Sequence, residues 1–100
     1  MNRKIKLLND EFFQTVVGDR GLRMYRKPVD GRLGMTGLGK LVEKETGAEP
    51  KLNEAYAFKV KNRNIIKILT RDEISTNLLE LHEGNADEMT DLAAELGLML

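Results

Sequence analysis

The chain has no cysteine and no tryptophan, only one histidine, and few aromatic residues, two tyrosines and three phenylalanines. Without cysteine, disulfide bonds and thiolate chemistry are excluded, so no cysteine serves as metal ligand or nucleophile. This absence fits a reducing compartment, and we expect a cytoplasmic protein. No apolar run approaches the roughly 20 residues that cross a bilayer. The charged amino-terminal residues are not followed by the apolar core of a signal peptide, so we expect no membrane association.

Residues suited to catalysis or to metal binding are scarce as well. His82 lies near Glu80 and Glu83, but one histidine with surface carboxylates is weak support for a metal site. No nucleophile stands near it in the sequence, so no catalytic dyad or triad is indicated. The glycine-rich stretch 34–41 ends in Leu41, where a phosphate-binding loop needs serine or threonine. We therefore expect no enzyme, no metal, no cofactor and no small-molecule substrate.

The net charge is zero, but the two signs are distributed unevenly along the chain. Residues 1–71 hold all 16 basic residues and half of the 16 acidic ones, which leaves this part at +8. Residues 72–100 hold the other half of the acids and no base, which leaves −8. Such asymmetry suggests a polyanion or an acidic partner for the basic part. The alternative is that the two parts neutralise each other across the folded surface, and both interpretations stay open.

One hundred residues suit a single domain, 1–100, with one core. The hydrophobic pattern predicts helices at 9–18 (where a strand is also compatible), at 35–46 before Gly47, and, strongly acidic, at about 86–97. It predicts strands at 22–27, 55–61, 65–70 and 76–81. We predict an α+β fold, a small antiparallel sheet of three to four strands with two or three helices packed on one face.

The segment 55–70 carries the clearest strand pattern, two strands around a short polar turn. A three-residue turn at 62–64, with Asn64 in the left-handed conformation, would pair Lys61 with Ile65 and Lys59 with Lys67. In this register the apolar side chains face the core and the lysines share the opposite face. Because like charges directly opposite each other repel, the pairing of Lys59 with Lys67 is costly unless an anion lies there.

We therefore interpret the basic hairpin as a surface that contacts phosphate or an acidic partner. The predicted contact residues are Lys59, Lys61, Arg63 and Lys67. The alternative is a solvated strand face, since lysine also protects exposed strand edges.

The segment 27–38 reads Lys-Pro-Val-Asp-Gly-Arg-Leu-Gly-Met-Thr-Gly-Leu. It resembles the D-x-R-x-G-x-x-G-L segment of the second-reading-frame, TnpB-like proteins of the insertion sequence 66 family. In that family an aromatic strand, a basic turn and an apolar strand with lysine follow, and 56–58, 62–64 and 66–69 are similar in order and spacing. The resemblance covers about residues 22–84, and its most specific part is the segment 30–38, whose motif residues are Asp30, Arg32, Gly34 and Gly37.

The resemblance implies a role in transposition as an accessory protein that is not itself the strand-transfer enzyme. We expect Asp30 and Arg32 to order the loop before the helix through a local ion pair. We predict a non-enzymatic, DNA-binding accessory protein of a mobile element, which binds DNA or a transposase–DNA complex through the basic hairpin. The alternative is a protein–protein interaction module or a homodimer with no nucleic-acid role.

Overall fold

The computed structural model describes residues 21–81 and 86–100. In chain order, these residues form β1 (Gly21–Met24), α1 (Met35–Thr46), β2 (Glu54–Lys59), β3 (Ile66–Arg71), β4 (Thr76–Leu81) and α2 (Ala86–Glu95). The strands form one sheet in the order β1-β2-β3-β4. β1 is parallel to β2, while β2–β3 and β3–β4 are antiparallel. The helix predicted at 9–18 and His82 lie outside the described residues.

The local boundaries follow the predictions closely where capping signals are present. α1 has the predicted bounds and ends at Gly47, whose φ of 80° is left-handed; glycine adopts this conformation without steric cost. β4 also has the predicted bounds. β1 is shorter than the predicted 22–27. α2 ends before 97, where Gly97 takes a φ of 71°. Neither helix in the described part of the chain is long and apolar enough to span a membrane.

The core occupies both faces of the sheet, one under each helix. On one face α2 packs over a cluster that includes Ala55 and Ala57 of β2. On the other face α1 packs over a cluster that includes Tyr56 and Phe58. Because successive side chains of a strand point to opposite faces, β2 serves both clusters. All four of these β2 residues are buried, as expected for a strand that is covered on both sides.

The α+β class is confirmed, and the structure corrects two details of the predicted arrangement. The sheet is mixed rather than wholly antiparallel, because α1 carries the chain back to the end of the sheet where β1 began. The helices lie on opposite faces rather than on one. Both strands of the central hairpin are buried on both sides and carry apolar side chains there, so a single helical layer would leave apolar side chains exposed on the other face.

The register of the β2–β3 hairpin differs by one residue from the predicted one. Phe58 pairs with Lys67, and Lys59 pairs with Ile66, whereas the prediction paired the two lysines with each other. Since a shift of one residue moves a side chain to the other face, the lysines end on opposite faces. Lys67 shares the α1 face with Phe58, and Lys59 lies on the α2 face. The predicted continuous basic face of the hairpin is therefore wrong.

The turn explains this difference, because it contains four residues, 61–64, instead of three. The Val60 amide donates to the Ile65 carbonyl at 2.9 Å and closes the turn. Asn62, not Asn64, takes the left-handed conformation, with a φ of 61°. Asn64 instead uses its side chain, whose Oδ1 accepts a hydrogen bond from the Ala86 amide at the start of α2, at 3.1 Å. The turn is thus shaped by a contact 22 residues away.

The carboxyl end of the chain lies beside β1. The Met24 amide donates to the Leu98 carbonyl at 2.9 Å, and the Leu100 amide donates to the Met24 carbonyl at 2.7 Å. Arg26 also donates to the Leu100 carbonyl through Nη2, at 2.9 Å. These bonds satisfy backbone groups of β1 on the side away from β2.

The left-handed conformation of Asn62 gives a test of the turn. We expect Asn62→Gly to leave the free energy of unfolding nearly unchanged, because glycine accepts a positive φ. Asn62→Ala should lower it by about 1 kcal/mol, because alanine keeps the Cβ atom that disfavours the left-handed region but lacks the short polar side chain whose local hydrogen bonds offset that cost in asparagine. Urea denaturation of both variants measures the difference, and equal stability would contradict the four-residue turn.

Candidate nucleic-acid interface

Two loops that are distant in sequence lie side by side at one end of the hairpin. We call residues 30–34 the motif loop and residues 61–64 the hairpin turn. Val29 forms a parallel bridge with Val60. Its amide donates to the Lys59 carbonyl and its carbonyl accepts from the Lys61 amide, both at 2.8 Å. The motif loop therefore starts beside the hairpin turn.

Asp30 and Arg32 form the ion pair expected of the motif loop, and its geometry is bidentate. The Asp30 Oδ1 accepts from the Arg32 backbone amide at 2.8 Å and from Nε at 3.2 Å, while Oδ2 accepts from Nη2 at 2.9 Å. The Arg32 side chain nevertheless remains 92% exposed. The side-chain hydrogen bond from Arg32, followed by the bond from its amide, lowers the pKa of Asp30 to about 2.

Two glycines allow the motif loop to pack closely against its neighbours. A Cβ atom on Gly31 would lie 3.0 Å from Cγ1 of Val60 in the hairpin. A Cβ atom on Gly37, in the first turns of α1, would lie 2.8 Å from Cδ2 of Leu33. Gly34 differs, since it is the N-cap of α1 and has open space around it. No local sequence pattern singles out Gly31, because its neighbour in the fold is 29 positions away.

Lys67 lies beneath the motif loop, not on the outer surface of the sheet. Its ammonium donates to the Gly31 carbonyl at 2.6 Å and to the Leu33 carbonyl at 2.8 Å, and it lies 3.5 Å from Oε2 of Glu80. Its side chain is only 6% exposed. Because these carbonyls flank Arg32, the buried lysine holds the backbone on either side of that arginine.

Lys59 has a corresponding position under the hairpin turn, on the α2 face. Its ammonium donates to the Arg63 carbonyl at 3.2 Å and to the Val60 carbonyl at 3.5 Å. It also lies 3.7 Å from Oδ1 of Asp87 in α2, with its side chain 19% exposed. Lys59 therefore braces the turn and connects it to α2.

A groove of about 400 Å³ separates the motif loop from the hairpin turn. Arg32 contributes from the loop, and Lys61 and Arg63 contribute from the turn. These three residues are exposed. Asp30 and Glu80 supply acidic groups to the same groove.

The structure thus divides the four predicted contact residues into two pairs. Lys61 and Arg63 are exposed at the groove, whereas Lys59 and Lys67 support the loops from below. Arg32 joins the exposed pair through the Val29–Val60 bridge, a contact that no local sequence pattern indicates. In the part of the chain that the structure describes, no group of three or more acidic or histidine side chains is arranged to hold a metal ion.

A family model described as "IS66 Orf2 like protein" matches residues 21–84 of the chain. The match covers nearly two thirds of the sequence and contains α1, the hairpin, the motif loop and every residue that lines the groove. It ends before α2. Among curated proteins and among solved structures, none matches the chain significantly.

Replacement of the buried lysine should destabilise the fold. We expect Lys67→Met to lower the free energy of unfolding by about 2 kcal/mol, because the Gly31 and Leu33 carbonyls lose their buried donor. The exposed Lys61→Met is the matched control and should stay close to wild type. Urea denaturation compares the two, and an equal effect would contradict the structural role of Lys67.

The Asp30–Arg32 pair can be tested through the titration of its carboxyl group. Carbon-detected NMR should find the Asp30 pKa at about 2, below its ordinary value of 3.8. The pair is then intact above the ordinary pKa and is lost as the pH falls through about 2. Arg32→Met should raise the pKa part of the way back, since the backbone amide still donates. An unshifted wild-type carboxyl would show that the pair does not form.

Proposed function

The chain belongs to the IS66 Orf2-like family of transposition-associated accessory proteins, and from that premise we propose that it binds DNA, alone or together with a transposase, without catalysing a reaction. The groove between the motif loop and the hairpin turn is the contact surface. One observation carries the proposal: two segments of the chain bring Arg32, Lys61 and Arg63 to the same groove, all three exposed.

Lys61 and Arg63 suit contacts with the phosphate backbone. Their side chains form no ion pair within the described residues, although the charge of Lys61 contributes to the lowered pKa of Asp30. Phosphate contacts of this kind position a protein on a duplex without reading its sequence. They also release counterions, which makes the binding strongly dependent on salt.

The supports beneath the two loops favour this role. The bonds of Lys59 to the turn and of Lys67 to the motif loop hold the backbone from which the exposed cations project. A surface ordered before binding loses less conformational entropy when a ligand arrives. The buried lysines thus contribute to binding through the geometry of the loops.

The arrangement also bears on the charge asymmetry of the sequence. α2 carries exposed acids at Asp87 and Asp91 and packs on the opposite face of the sheet from α1. It is joined to the hairpin by the ion pair between Asp87 and Lys59. Neutralisation between the two parts of the chain therefore involves Lys59 with Asp87 and Lys67 with Glu80, and Lys61 and Arg63 stay available to an external anion.

A second candidate function is a protein contact, with a transposase or with a second copy of the chain. The turn between β3 and β4 favours it, because Ile74 is 95% exposed there and Leu52, which lines the same depression, is 47% exposed. Asp72 and Glu73 directly precede Ile74 in this turn. A contact at this tip would depend on apolar burial and would change little with salt.

A salt titration of binding to labelled random-sequence duplex DNA tests the first function. We expect affinity to fall steeply with salt. Lys61→Gln with Arg63→Gln should reduce the log–log slope by about 1.8, since each phosphate that the protein neutralises contributes roughly 0.9. Both side chains are exposed, so the double variant should keep the wild-type fold, checked by circular dichroism.

The matched control is Lys44→Gln with Lys51→Gln, which removes two exposed cations outside the groove. Lys44 lies ten residues beyond the N-cap of α1, about 15 Å along the helix. The control should bind like wild type. Equal reductions of the slope in both double variants would reject the groove as the site, and no binding at low salt would favour the protein contact.

A further inference from the structure

The Asp30–Arg32 pair leaves one edge of the guanidinium available for a ligand. An arginine side chain has five N–H donors in a planar fork. Asp30 accepts from Nε and from Nη2, which occupies the side edge. Nη1 and the second N–H of Nη2, which form the end edge, have no partner in the described part of the chain. That edge can still donate two parallel hydrogen bonds.

The Asp30–Arg32 pair is held by more bonds than its small contribution to folding stability would explain. An exposed ion pair typically contributes little to folding, and Arg32 is 92% exposed. Yet its guanidinium is held by two bonds, its amide by a third, and its neighbouring carbonyls by Lys67. Such restraint fixes the direction in which the free edge points. Orientation of a donor pair matters for a ligand that has two acceptors in fixed positions.

The charge of the pair indicates which acceptors it fits. Asp30 is ionised at neutral pH, as an aspartate is at its ordinary pKa and all the more at a lowered one, so the pair as a whole is neutral. A carboxylate beside the arginine repels a phosphate, which makes the pair a poorer phosphate site than Lys61 or Arg63. A ligand that presents two acceptors on an uncharged planar edge is not repelled by the Asp30 carboxylate. In duplex DNA, the major-groove edge of guanine presents O6 and N7 in that arrangement.

We infer that Arg32 reads a guanine edge, with Asp30 as the residue that positions it, while Lys61 and Arg63 contact phosphate. This inference rests on the proposed DNA binding and adds a base preference to it. Adenine fits less well, because its N6 amino group is a donor and would face an N–H donor of the Arg32 guanidinium. A good bidentate contact discriminates against the wrong base by about 1–3 kcal/mol, which is roughly 5- to 150-fold.

The test is selection of binding sites from a pool of random duplexes, followed by affinity measurements on the selected site. Wild type should enrich guanine at one position or more. Arg32→Lys keeps the charge but lacks the planar fork, so it should lose this enrichment while the salt slope stays the same. Replacing the selected guanine by 7-deazaguanine, which lacks N7, should weaken wild type several-fold and leave Arg32→Lys unchanged.

Asp30→Asn gives a second readout that a purely structural role would not produce. Asparagine can still accept from the Arg32 amide, so the loop conformation should persist. The site gains one positive charge, however, so the salt slope should steepen by about 0.9 while the guanine preference falls. Lys44→Gln is the control and should retain the wild-type preference.

The outcomes separate this inference from the function on which it rests. Salt-dependent duplex binding without guanine enrichment, or with enrichment that survives in Arg32→Lys, would overturn the inference and leave the proposed function intact. Absence of duplex binding at low salt would overturn both the inference and the direct DNA binding on which it rests. Circular dichroism and thermal unfolding show whether each variant is folded. Because the Arg32 side chain is exposed, we expect its substitution to preserve the fold.

Discussion

The ammonium group of Lys67 is buried beneath the motif loop, and a buried charge is tolerated only when its donors are satisfied. The Gly31 and Leu33 carbonyls and the Glu80 carboxylate surround it. Lifting the loop would break these bonds and leave a charge against the apolar cluster under α1. The loop is thereby tied to the sheet, and Arg32 lies between the two bonded carbonyls. The geometry of the candidate site depends on this contact.

The hairpin turn is braced by contacts from both faces of the sheet. Val29 bridges to Val60 just after β2, Lys59 donates to the Arg63 carbonyl of the turn, and the Asn64 side chain accepts from the first amide of α2. The groove therefore stands where the two helical layers meet the end of the hairpin. Each wall is made of short backbone segments held by long-range bonds, which is why two short loops can present exposed cations in defined positions.

Membership of a transposition-associated family and the chemistry of the groove are consistent with each other. In the proposed arrangement, Lys61 and Arg63 supply affinity through phosphate contacts, whereas the Asp30–Arg32 pair supplies a directed, neutral recognition element. The two roles differ for a physical reason. Unpaired cations are attracted by the charge of a phosphate, whereas a paired arginine binds according to the geometry of its acceptors. Affinity and base preference should therefore respond differently to salt and to substitution.

The sequence by itself determined the features that depend on neighbouring residues. These include the α+β class, the bounds of α1 before Gly47, the bounds of β4, the Asp30–Arg32 pair and the family resemblance. The first four follow from a propensity, a cap or an i, i+2 contact that is readable locally, and the resemblance follows from the residues of the segment 27–38. The acidic terminal helix was also foreseen, with its end misplaced by two residues.

Only the tertiary structure decided the register of the hairpin, the faces on which the helices pack and the position of each lysine. Side chains of a strand alternate with a period of two, so one extra residue in the turn sends Lys67 to the opposite face from Lys59. That turn length depends on Val29 and on the start of α2, which lie about 30 and 20 residues away. Local patterns hold no information on such distant partners, because the contacts exist only once the chain has folded.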